Sequence, residues 1–219
     1  MATESSIEQL RIKDPDIRLM VQVQNDDATA FEELMLRYQG RVISLLTHVI
    51  GNRDQAEDLT QEVFLRVYRA RKSYMPEAKF STWLFTIANN IALNAIRTKK
   101  RHPELQMPNS SDSSSGMPTM ENSIPAKSAV MPTRQLDKLE VQEAVRLAIA
   151  SLGENQRIAV MLNRFEGMNY NDIARVMQLT PQAVKSLLCR ARNNLRAVLG
   201  PYVEHGKQVA GHQNGSEKT

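Results

Sequence analysis

At 219 residues, 42% apolar and 24% charged, the chain has the composition of a soluble globular protein and room for one large domain or two small ones. Its formal charge of +4 permits a local basic patch without requiring one. A single cysteine, Cys189, excludes an internal disulfide, and no apolar run nears the roughly 20 residues of a membrane span. With no secretion-signal pattern at the start, a reducing cytoplasm is the expected location, without membrane insertion.

Aromatic residues make up only 5% of the chain, so helix is favoured over strand and an all-α fold is expected. Residues 1–13 read as a flexible N-terminus. The spacing then predicts a short helix over 15–22, closed by the polar turn Asn25-Asp26-Asp27. Phe31, Leu34, Tyr38, Val42, Leu45 and Val49 recur at steps of three and four, one buried stripe that Gly51 stops. Asp54 and Glu57 resemble a capping-box restart, after which Ala56, Leu59, Val63 and Val67 point inward. A turn at Tyr74-Met75-Pro76 leads to a third long helix, capped by Ser81, with Trp83, Leu84, Ile87, Ile91 and Ala95 inward. These helices form a first domain over 14–101.

From 102 to 135 the periodicity stops. Pro103, Pro108, Pro118, Pro125, Pro132 and the serines of 110–115 mark a disordered linker. A structureless stretch of that length would be unusual inside one compact domain, so two domains are expected. The second, 136–199, begins with the stripe Leu139, Val145, Ala148 and Leu152, stopped at Gly153. Ile158, Met161, Leu162 and Phe165 form the next, stopped at Gly167. Residues 200–219 lack periodicity and read as a flexible tail.

Residues 169–199 have the layout of a helix-turn-helix. Asn169 caps a short helix with Tyr170, Ile173, Ala174 and Met177 inward, and Gln178-Leu179 makes the turn. Thr180 caps the second helix and Pro181 occupies its first position, where a missing N–H costs nothing. Val184, Leu187 or Leu188, Ala191, Leu195 and Val198 face inward, while Lys185, Ser186, Arg190, Arg192 and Arg196 line the other side. No acidic residue occurs from Thr180 to Leu199, which suits a helix in the major groove with arginines on the phosphates.

In the first domain, Asp54, Glu57, Asp58 and Glu62 share one helical face. It fits a solvated surface or a basic partner; a metal site lacks the His or Cys that would help carboxylates converge. Beyond it, Arg69, Arg71, Lys72, Lys79, Arg97, Lys99, Lys100 and Arg101 interleave with Tyr68, Tyr74, Phe80, Trp83 and Phe85. Cations with aromatics suit unstacked single strands. Trp83 fits a core position equally well, whereas Tyr74, in the loop, is expected to be exposed.

The runs NRDQAEDLTQEVFLRVYRA at 52–70 and FSTWLFTIANNIALNAIR at 80–97 resemble the second conserved region of sigma-70-type factors. LGENQRIAVMLNRFEGMNYNDIARVMQLTPQAVKSLLCRARNNL at 152–195 resembles the fourth. With nothing like the first or third region, the pattern is similar to the extracytoplasmic-function (ECF) group. The resemblance implies an RNA polymerase sigma factor with neither cofactor nor small-molecule substrate. Asp54, Glu57, Asp58, Gln61 and Glu62 would dock on the clamp coiled coil of the largest polymerase subunit. The loop 73–79 with Tyr74 and Lys79, then Trp83, Asn89, Asn90, Asn94, Arg97 and Lys100, would capture the −10 element. Thr180, Pro181, Gln182, Lys185, Ser186, Arg190, Arg192 and Arg196 would bind the −35 element, and the same domain would grip the flap of the second-largest subunit. An anti-sigma partner is implied as well. The family often has Gly-Thr where this chain has Gln182-Ala183 and a basic residue at Leu187, which leaves the promoter preference open, and it often has proline where this chain has Gly153.

Two other functions are weighed. A helix-turn-helix regulator acting without polymerase leaves the aromatic-basic segment 68–101 without purpose. A nuclease using Asp54, Glu57 and Asp58 lacks a phosphate-cradling loop, nucleophile motif or metal-spaced histidine pair.

Overall fold

The computed structural model describes residues 14–101 and 132–211, and every regular element among them is helical. The expected N-terminus 1–13, most of the linker and the end of the tail lie outside the described residues.

The first group comprises α1 (Pro15–Gln24), α2 (Ala28–Ile50), α3 (Arg53–Ala70), a 3-10 turn (Arg71–Ser73) and α4 (Phe80–Arg101). Asp14 caps α1 and Asp27 caps α2, its Oδ1 accepting from Thr29 N and Ala30 N at 2.9 and 3.2 Å. Gly51, at φ 82°, ends α2 in the left-handed region that costs glycine little. The expected capping box at Asp54 does not form. Asn52 is the cap instead, accepting from Gln55 N at 2.7 Å, while Glu57 pairs with Arg53. Nor does Ser81 cap α4: the helix starts one residue earlier, and Phe80 N–H donates to Asp14 Oδ2 at 3.0 Å. That bond ties the start of α4 to α1. The core of this group is built on Leu34, Tyr38, Val42, Leu46, Val63, Phe64, Phe80, Leu84 and Phe85; the stripes predicted Leu34, Tyr38, Val42, Val63 and Leu84 but missed Leu46 and Phe64, and Phe80 and Phe85, read among the aromatics interleaved with cations, are core.

The second group is α5 (Pro132–Ala150), α6 (Glu154–Arg164), α7 (Tyr170–Met177) and α8 (Pro181–Gly211). Pro132, expected inside the linker, is the first residue of α5, a position proline tolerates. The buried face of α5 and the turn after it is Ala144, Ala148, Ile149 and Leu152; Val145 sits one register away, at the surface. Gly153 starts α6 rather than stopping α5, and Phe165 is 47% exposed just past the end of α6. The helix α8 runs through Gly200 and Pro201 to Gly211, against the expectation of an unstructured tail after 199. The segment beyond them contains the good helix formers Glu204, Lys207, Gln208 and Ala210.

The two groups do not stand apart. Helix α7 packs along α4, α6 packs against α2, and the buried side chains of both form one contiguous cluster.

Candidate functional site

The helix-turn-helix has the caps its sequence prescribes. Asn169 Oδ1 accepts from Asp172 N at 2.9 Å, and Thr180 Oγ1 accepts from Ala183 N at 3.2 Å. Gln178, at φ 55°, makes the left-handed turn between the helices. Ile173, Ala174, Met177, Val184, Leu188 and Ala191 are buried and fix the angle of α8 on α7. This leaves Thr180, Pro181, Gln182, Lys185, Ser186, Arg190, Arg192 and Arg196 exposed. Cys189 is exposed among them. Such a row, cationic and free of carboxylates, can meet base edges with one half and phosphates with the other.

A second site opens 3-10 turn to α4. Tyr74, expected to be exposed, is buried at 5%, because its ring packs at 4.8 Å on Trp83 and 6.4 Å on Phe80. Gln24 Nε2 also donates to Tyr74 O at 2.6 Å, pinning the loop to α1. Trp83 is neither fully core nor free: it rests on the core with one side partly exposed. Around these rings lies a cavity of about 640 Å³, lined by Tyr74, Met75, Glu77, Ala78, Thr82, Trp83, Thr86 and Arg175. That volume lies in the range of small-ligand pockets and is ample for an unstacked base. The hydroxyl of Thr82 is buried there with no hydrogen-bond partner among the described residues. A buried polar atom without a partner is costly.

The remaining predicted strand-binding residues follow α4 outward. Asn89 is buried at 3%, and its Nδ2 donates to Val176 O at 3.2 Å, so here it faces α7. Asn90 is half-buried, and Asn94, Arg97 and Lys100 are exposed, with Lys100 Nζ 2.7 Å from Glu154. Lys79 is exposed, 3.8 Å from Asp172. The structure therefore gathers Tyr74 and Trp83 at one cavity, strings Asn90, Asn94, Arg97 and Lys100 along one helix, and turns Asn89 aside. Sequence reasoning missed Thr82, Thr86 and Met75, although the first two flank Trp83 one helical turn apart. Arg175 had no signal at all, since only the tertiary packing brings it there.

The acidic face of α3 is a third surface. Asp54, Asp58 and Gln61 are exposed, and Glu57 and Glu62 are partly occupied by Arg53 at 2.8 Å and Arg66 at 2.7 Å. Leu65, 50% exposed, lies one turn beyond Gln61. Among the described residues no three of His, Cys, Asp and Glu converge as a metal centre would need.

Comparison with known proteins returns one group throughout. The family model for sigma-70 region 2 matches residues 34–102, and that for sigma-70 region 4 matches 142–195. The RNA polymerase sigma-H factor of Pseudomonas aeruginosa is 33% identical over 189 residues, which is 86% of this chain and 96% of that protein. The ECF RNA polymerase sigma-E factor of Escherichia coli K12 is 31% identical over 185 residues, covering 84% and 94%. Two solved structures share the fold at a TM-score of 0.60. One is CnrH in complex with the cytosolic domain of CnrY, at 20% identity over 86% of this chain and 99% of that one. The other is the sigma factor RpoE with the anti-sigma factor NepR from Bartonella quintana, at 22% identity over 78% and 96%.

Proposed function

Because the chain belongs to the sigma-70 family of RNA polymerase sigma factors, in its extracytoplasmic-function group, we propose that its three surfaces divide the work of initiation among them. The protein directs core RNA polymerase to specific promoters in transcription initiation. Its partners are core polymerase, promoter DNA and an anti-sigma factor. We read it as a non-enzymatic factor working in the cytoplasm; among the described residues no helix is long and apolar enough to cross a membrane.

Two functional modules are proposed, 14–101 and 136–199. In the second, Gln182, Lys185, Ser186 and Arg190 read the −35 element in the major groove, with Thr180, Pro181, Arg192 and Arg196 along its backbone. In the first, Tyr74 and Trp83 wall a pocket for an unstacked −10 base, and Lys79, Asn89, Asn90, Asn94, Arg97 and Lys100 lead the strand along α4. Asp54, Glu57, Asp58, Gln61 and Glu62 on α3 meet the clamp coiled coil, and the second module meets the flap.

The observation that carries the reading is the coexistence of an exposed, carboxylate-free face on α8 with an aromatic cavity at the base of a cationic helix. A duplex-only regulator uses the first and has no use for the second. Run-off transcription with purified core polymerase on genomic fragments tests it: new start sites dependent on the chain are expected. Unaltered start sites, together with no association with core enzyme, would refute it.

A further inference from the structure

The loop between α3 and α4, assigned above to strand capture, is held along its length by α1. That helix is itself fixed, because Ile17, Met20 and Val23 are fully buried. At the start of the loop, Asp26, just past α1, accepts from Arg71 Nε at 3.0 Å and from Lys72 Nζ at 2.6 Å. Lys72 Nζ also donates to Gln24 O at 2.6 Å. In the middle, Gln24 Nε2 donates to Tyr74 O at 2.6 Å, so a residue of α1 sets the ring that walls the aromatic cavity. At the end, the carboxylate of Asp14 serves two helices. Its Oδ1 accepts from Asp16 N at 3.0 Å and caps α1, while its Oδ2 accepts from Phe80 N at 3.0 Å and satisfies the first N–H of α4. One side chain therefore starts two helices, across 66 positions of sequence. The 10 residues of α1 rise about 15 Å, so Asp14 and Gln24 stand at the two ends of a rod laid beside the loop.

We propose that α1 is a splint for the capture loop, with Asp14 and Gln24 as positioning residues that fix Tyr74 and the start of α4 at the spacing base capture requires. Neither residue lines the cavity. The inference rests on the assignment of that cavity to an unstacked −10 base. A loop tied only at its two chain ends would sample many placements of Tyr74, and apparent affinity falls with the fraction that is competent.

Three substitutions take the splint apart. Asp14→Ala removes both acceptors, Asp14→Asn leaves one oxygen for two donors, and Gln24→Met removes the donor at similar length. Trp83, the one tryptophan of the chain, packs on Tyr74 with centroids 4.8 Å apart and so reports the place of the loop in the full-length protein. Acrylamide quenching of Trp83 should rise in Asp14→Ala and in Gln24→Met. Function is read with each variant reconstituted with core polymerase, on a promoter that responds to the wild-type chain. The promoter is supplied as intact duplex and with its −10 region premelted by mismatches.

Open-complex formation on the duplex, followed by permanganate reactivity of unpaired thymines, should fall about tenfold, as when a competent fraction near unity drops to a tenth. Initiation on the premelted template at saturating concentration should stay within about twofold of wild type, because weakened capture then no longer has to hold a duplex open. Asp14→Asn should fall between Asp14→Ala and wild type. None of these losses has an electrostatic explanation, since Gln24→Met changes no charge and the Asp14 variants remove a negative one. Circular dichroism melts identify a variant that does not fold, and Gln24→Met, which breaks no cap, carries the test if Asp14→Ala is one.

Equal losses on duplex and premelted templates, tracking a lower melting temperature, would make these bonds ordinary structural ones and overturn the splint. Tyr74→Leu, which keeps an apolar filling without the ring, separates the splint from the reading beneath it. A defect on duplex promoters in Tyr74→Leu with none in Asp14→Ala and Gln24→Met overturns the splint and leaves the capture site standing. Normal opening of duplex promoters by Tyr74→Leu overturns both.

Discussion

Replacing Asn89 by leucine separates folding from function at one position. The amide of Asn89 makes one hydrogen bond, to Val176 O at 3.2 Å, and its Oδ1 is buried with no partner. The substitution forfeits a bond worth about 1 kcal/mol and leaves the Val176 carbonyl without that donor, a penalty on the order of 1–3 kcal/mol. It also removes the unpaired Oδ1, relieving a penalty of the same order, and buries an aliphatic side chain of similar volume, worth roughly 1.5–3 kcal/mol at most. At mid-range these contributions sum to a gain of about 1 kcal/mol, so melting temperature should hold or rise by ~2–4 °C for a chain this size. If Asn89 meets the promoter strand once the modules separate, run-off transcription should fall about tenfold, the loss of one polar base contact. Parallel melts and run-off assays on the same preparation decide the matter. A fall in melting temperature beyond about 8 °C, or undiminished transcription from every responsive promoter, would refute the reasoning.

Lys185→Ala and Arg190→Ala should each cost roughly 1–3 kcal/mol of −35 recognition, seen as weaker promoter use, while co-purification with core polymerase is unchanged. The pair Asp54→Lys and Asp58→Lys, both exposed on α3, should abolish pull-down of core enzyme without lowering the melting temperature. Asn169→Ala removes the cap of α7 and should cost about 1 kcal/mol, measured by urea unfolding. The carboxyls of Asp26, hydrogen-bonded to Lys72 and Arg71, and of Asp27, hydrogen-bonded to Thr29 and Ala30 N, are held below the ordinary value of 3.8. Each depressed value stabilises the fold above 3.8 and loses its effect as pH falls through the folded value. Urea midpoints should therefore drop in that acid window, and less steeply in Asp27→Asn.

Helix positions were legible because one stripe per helix has the 3.6-residue period, and the caps at Asn169 and Thr180 follow from side-chain chemistry alone. The errors have local physical causes. At Asn52 and Asp54 two good capping residues compete, and the bond from Gln55 N decides for the first. Tyr74 has loop neighbours in sequence, but three-dimensional aromatic packing with Trp83 and Phe80 buries it. Phe165 matches its stripe in period, yet α6 ends at Arg164 and the ring stacks on His48 instead, centroids 6.4 Å apart. The α8 face could be read directly, since every residue of that site lies within one helix. The cavity could not be read in full, because Arg175 reaches it from the other module.

The same distinction bears on how the closed arrangement can be undone. Its contacts between modules combine a contiguous apolar cluster with polar ones: Arg157 to the His48 carbonyl, Arg175 to the Glu77 carbonyl, Lys100 to Glu154 and Lys79 near Asp172. Partly exposed pairs of this kind contribute about 0–1 kcal/mol each, because water replaces them at little cost. Glu166 differs. Burial pushes its carboxyl above the usual range, opposed by Arg41, whose own charge burial disfavours and Glu166 sustains. Among the polar contacts, the Arg41–Glu166 pair is therefore the one most sensitive to loss of a partner. An interface made this way suits a protein whose two modules must come apart on a polymerase. Replacing Lys79 and Asp172 by leucines should shift the balance: the closed form should gain melting temperature while transcription falls, the opposite of a simple stabilisation.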